Sequence, residues 1–101
     1  MKNIDIFIRK LQDIVELVTL ECDLIDAGRA SKWDRDQLDG IVLPEINELL
    51  AYARKGKVFF KYGKRQRLLE SSYVMTDSLE NLYNTILGKK IVELQDFYDT
   101  L

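Results

Sequence analysis

At 101 residues the chain is long enough to bury one core, and a single domain over 1–101 is expected. Apolar residues make up 47% and charged residues 32%, the balance of a folded globular protein, and one proline with five glycines leaves little room for disorder. There is no histidine and only one cysteine, which excludes His-based triads, His general bases, His metal ligands, Cys/His zinc sites and an internal disulfide.

The net charge of −2 hides three blocks. Residues 1–53 hold eleven acids and six bases, a balance of −5; residues 54–67 hold seven bases and no acid; residues 68–101 hold six acids and two bases, a balance of −4. Such a chain is dipolar rather than uniformly basic, and its charge acts on encounter and partner choice. The N-terminal stretch MKNIDIFIRKLQDIVELV is charged every few residues, unlike a signal peptide, and no window is apolar enough to span a bilayer. A cytoplasmic protein is expected.

Residues 3–27 predict one long amphipathic helix. Ile4, Phe7, Ile8, Leu11, Ile14, Val15, Val18, Cys22 and Ile25 recur at three-and-four spacing, and Ile6, Leu17, Leu20 and Leu24 widen the face. Asn3 suits the N-cap and Gly28 the C-cap. Cys22 falls on the stripe between Val18 and Ile25 and reads as a buried structural thiol, disfavoured as thiolate by its acidic neighbours. Ser31-Lys32-Trp33-Asp34 has the form of a capping box. The following helix carries Leu38, Ile41, Val42, Ile46, Leu49, Leu50 and Ala53. Gly40 and Pro44 predict a kink at 40–44, or a short helix followed by a fresh one with Pro44 in its first turn. Gly56 ends it.

Residues 58–62 predict a loop or short turn that packs Phe59 or Phe60 into the core. Residues 64–75 predict a third helix, with Leu68, Leu69, Tyr73 and Val74 or Met75 inward. Thr76-Asp77-Ser78 is a helix-start signal. Leu79, Tyr83, Leu87, Ile91, Leu94, Tyr98 and Leu101 then run at helical spacing, which favours one helix through Gly88 over two broken there. The expected fold is all-α: an antiparallel bundle of three to four helices.

Two stretches invite a functional reading. One is the acidic run Glu21, Asp23, Asp26, Asp34, Asp36 and Asp39 across the first turn. As a docking surface for a basic protein partner it would take Trp33 as aromatic anchor; as plain structure it is a solvated face. A magnesium site on Asp34, Asp36 and Asp39 is the weaker alternative, because acids in a first turn serve the helix dipole. The other is the basic-aromatic segment 54–67. Lys57, Lys61, Lys64, Arg65 and Arg67 with interleaved aromatics could bind nucleic acid. In the plain reading, which outweighs it, Phe59 and Phe60 are core, the cations are solvated and the acidic flanks repel nucleic acid. No catalytic, metal or cofactor residues are assigned.

The stretches KVFFKYGKRQRLLESSYVMTDSLENL and LGKKIVELQDFY resemble small helical immunity proteins of Gram-positive bacterial toxin systems, across roughly the C-terminal half. The texture is shared, without a diagnostic motif, and no functional residue is carried over. The acidic balance departs from bundles of the enterocin A type, which tend to be basic. The resemblance implies a non-enzymatic cytoplasmic protein that neutralises one cognate toxin. The spare aromatics also admit a homodimer.

Overall fold

The computed structural model describes residues 3–60 and 68–101, and among these it is all-helical. Helix α1 runs Asn3–Asp26. Asn3 is itself helical rather than the cap, and the first two residues lie outside the described set. The α1 stripe buries Phe7, Leu11, Ile14 and Val18, with Ile4, Ile8, Val15, Leu17, Cys22 and Ile25 packed half-buried beside it. Leu20 and Leu24 do not widen this face: they are 58% and 37% exposed. At 3.6 residues per turn both point well away from the line through Leu11 and Val18. The helix ends at Gly28, which takes φ 75°, while Gly28 N–H donates to Ile25 O and Arg29 N–H to Leu24 O. This is a Schellman close, repeated at Gly56 after the second long helix.

The return arm starts later than Ser31. A capping box does form, but on Asp34 and Gln37: the Asp34 carboxylate accepts from Gln37 N–H, and Gln37 Oε1 accepts from Asp34 N–H. Ser31 serves the preceding turn, donating to Glu21 Oε2 at 2.7 Å and accepting from Trp33 N–H. Helix α2, Arg35–Gln37, passes into a π turn, Leu38–Val42, and then α3, Leu43–Arg54. The expected irregularity at 40–44 is this turn. Pro44 has no N–H for the carbonyl four residues back, so the chain widens and Leu43 N–H reaches Leu38 O instead.

After Gly56 the chain is irregular as far as Phe60, and Phe59 and Phe60 are half-buried against the core. The expected third helix is shorter than its pattern: α4 is Glu70–Thr76, and the predicted start at Lys64 lies outside the described residues. Leu69 and Met75 are buried, whereas Leu68 and Tyr73 are more than half exposed. The N-terminus of α4 is capped from a distance. The Glu45 carboxylate accepts from Glu70 N–H, Ser71 N–H and the Ser71 hydroxyl at 2.7, 2.9 and 2.6 Å. Gln95 Oε1 accepts from Leu69 N–H and the Ser72 hydroxyl.

Neither reading of the last helix holds. Thr76 ends α4 rather than opening a helix, and the break falls before Gly88, at Thr85. A 3-10 turn, Leu82–Asn84, buries Leu82 completely and leaves Leu79 and Tyr83 outside. Helix α5, Ile86–Asp99, then buries Leu87, Ile91, Leu94 and Tyr98. Gly88 sits where the turn crosses the helix start: a Cβ there would lie 1.9 Å from the Leu82 carbonyl oxygen.

Helix α1 packs against both α3 and α5, and α4 packs against α5 and the π turn. Phe7 near the start of α1 meets Phe97 and Tyr98 near the end of α5. At the other end Trp33, just past α1, bonds to Thr85, just before α5. The two helices are therefore antiparallel, in a small helical bundle as the patterning predicts. No described helix is long and apolar enough to cross a membrane.

Candidate functional site

The acidic corner is assembled by three elements: the last turn of α1, the turn after Gly28, and the α2–π arm. Arg35 is its clasp. Its Nε donates to Asp39 Oδ2 at 2.5 Å, one helical turn on, and its Nη1 donates to Asp26 Oδ1 across the turn. Cys22 Sγ donates to the other Asp39 oxygen at 3.6 Å. Asp23, Asp26, Asp34, Asp36 and Asp39 are all exposed. Asp34 is committed to the cap of α2, while Asp23, one turn before the end of α1, and Asp36, in α2, are exposed.

The electrostatics follow from these contacts. The hydrogen bond from Arg35 holds the Asp39 carboxyl below the usual aspartate range, against a smaller upward push from burial. The same bond pushes Arg35 further up. Burial pushes the Cys22 thiol up, and the Asp39 charge adds to that, with Arg35 opposing. The thiol is half-buried rather than enclosed, and the carboxylate that disfavours its thiolate is chiefly Asp39, from another helix. The pairs around Arg35 are solvent-exposed and order the corner more than they stabilise the fold.

Trp33 is not a surface anchor. It is 2% exposed, part of the core, and its indole N–H donates to Thr85 Oγ1 at 3.0 Å. A buried indole needs such a partner, and the fold provides it. Of the predicted docking residues the structure thus brings Asp26 and Asp39 together through Arg35, sets Asp23, Asp34 and Asp36 around them, and turns Trp33 inward. Arg35 itself was not singled out from sequence. Its i,i+4 spacing to Asp39 was a readable signal, whereas its reach to Asp26 depends on how the turn folds.

At the basic-aromatic segment Lys57 is exposed, and Lys61, Lys64, Arg65 and Arg67 lie outside the described residues. The two phenylalanines are occupied. Phe59 stacks on Tyr52 with ring centres 4.6 Å apart, Phe60 tilts over Tyr98 at 5.2 Å, and the Tyr98 hydroxyl donates to Phe59 O. These rings hold the chain to α3 and α5 instead of standing free for a base.

Among the described residues no group of three metal-ligating side chains converges. No family model, curated protein or solved structure matches the chain.

Proposed function

We propose that this chain is a non-enzymatic protein-binding module: an immunity protein, or antitoxin, that acts in the cytoplasm by capping a basic surface on a cognate bacterial toxin. The observation that carries the reading is at the end of α1. Its last turn holds Asp23 and Asp26 and no basic residue, although the negative end of a helix dipole favours cations. Among the described residues Arg35, from another element, pairs with Asp26. Helix α5 ends the same way, on Asp96 and Asp99 with no base; what sets the α1 end apart is that the α2–π arm adds Asp34, Asp36 and Asp39 to the same corner. With Asp36 and the paired Asp39, the corner offers a basic partner an excess of carboxylates over its exposed bases Arg29, Lys32 and Arg35, and such complementarity speeds encounter and selects partners. The absence of histidine from the sequence and the self-stacked Phe59 and Phe60 are both in keeping with this reading.

The test is association with the proteins encoded beside this one. A toxin-like neighbour should bind with Kd in the nanomolar range or tighter, about 12 kcal/mol or more. The pair Asp23→Lys and Asp36→Lys should slow association at least about tenfold at low salt, with the fold intact. Absence of any binding neighbour, or salt-dependent RNA binding that survives these substitutions, would overturn the proposal.

A further inference from the structure

Helix α4 leaves a groove along α5. Its floor is Met75, 2% exposed, and its walls are Leu68, Tyr83 and Val92, which are 53%, 41% and 36% exposed. Asp96 stands at the mouth, one turn beyond Val92 on α5. The hollow measures about 190 Å³. That falls below the several hundred Å³ of a typical cofactor pocket, and suits one or two large side chains. The walls are braced, since Gln95 Oε1 holds both Leu69 N–H and the Ser72 hydroxyl and so fixes α4 on α5. The floor is a methionine, whose unbranched side chain adapts to different apolar guests.

Charge decides between occupants. Asp96 is exposed at the groove mouth, and no basic residue is among the described residues that line it. A second copy docked groove to groove would bring a second Asp96, and no cation, to the same mouth. A helix with a bulky apolar stripe and lysine or arginine one turn away meets both features at once.

We infer that the α4–α5 groove is a second docking surface, which takes the apolar face of a basic amphipathic helix with its cation on Asp96. It goes beyond the acidic corner, uses none of its residues and is tested without the toxin.

The probe is a synthetic amphipathic peptide with leucine and phenylalanine along one face and lysines flanking it, titrated into the full isotope-labelled chain. Amide shifts should concentrate on Ser72, Met75, Val92 and Asp96. The double variant Tyr83→Ser/Val92→Ser should weaken binding at least about tenfold, from lost apolar burial. Asp96→Lys, or flanking glutamates in place of the lysines, should weaken it about threefold, and added salt should erase that difference. Far-UV dichroism of each variant checks that the helices persist; the replaced side chains are exposed, so the fold should tolerate them. Shifts confined to the acidic corner, no saturable shift, or equal affinity for both peptides would overturn the inference. So would a concentration-dependent dimer that Tyr83→Ser/Val92→Ser abolishes, which would assign the groove to a second copy.

Discussion

Thr85 uses its one hydroxyl three times. Its Oγ1 accepts from Trp33 Nε1–H and from Gly88 N–H, and donates to Leu82 O, at 3.0, 2.9 and 2.6 Å. Two lone pairs and one proton are all used. Thr85→Val keeps the shape and orphans two buried donors, so it should cost about 2–4 kcal/mol, while Thr85→Ser should cost much less; paired thermal melts read the difference. Gly88 inverts an ordinary expectation. Glycine to alanine inside a helix normally gains about 1 kcal/mol. Here the new methyl meets the Leu82 carbonyl oxygen, and Gly88→Ala should instead destabilise by about 1–3 kcal/mol in urea titrations. Cys22 supplies a pH test. Its thiol titrates above the ordinary cysteine value, so its alkylation by iodoacetamide should be slow at neutral pH and rise through a midpoint displaced to alkaline pH. Asp39→Asn removes a charge that raises this value and leaves Arg35, which lowers it; the midpoint should fall. Asp39 itself has the opposite sign. Its folded value is depressed, so whatever the clasp contributes is present above the usual aspartate range and is lost as pH falls through the folded value.

At the scale of elements, α4 is a short helix that borrows its cap. Seven residues are too few to hold a helix in water unaided. The residue before it, Leu69, has no side chain able to cap, and Glu45 of α3 accepts the first amides instead. Glu45→Ala should therefore cost about 1–2 kcal/mol. Hydrogen exchange should accelerate first at α4 amides, while α1 amides stay protected to the level of global unfolding. This long-range cap explains why α4 opens at Glu70, although the apolar pattern carries a helix through Leu68 and Leu69: nothing local identifies a partner 25 residues back. The last helix failed for a related reason. Thr76-Asp77-Ser78 is a sound local start signal, and Leu79 and Tyr83 happen to extend the stripe of α5 backward. Burial of Leu82 and the needs of the Trp33 indole set the break at Thr85 instead. By contrast α1, the glycine stops and the Gly40–Pro44 irregularity were legible, because their causes lie within a turn or two of the residues that show them. At the corner the aspartates were legible as a run. The direction of Trp33 was not, since one tryptophan among charges suits a core as well as an interface.

At the scale of the molecule, α1 is the common partner. It packs on both α3 and α5, and Phe7 is fully buried where α1 meets α5. Phe7→Ala should cost about 3–5 kcal/mol, a large share of the 5–15 kcal/mol typical of such domains. Denaturant titration should show the midpoint falling with the slope unchanged. The same crossing bears on how the chain is made. Phe7 lies near one end of the sequence and Phe97 and Tyr98 near the other. A ribosome releasing the chain in order therefore leaves that ring uncovered on one side until α5 has emerged. Until then α1 has α3 and the π turn to pair with but not α5, and the nascent chain presents the unfilled part of its apolar stripe to whatever chaperone or sister chain is nearest.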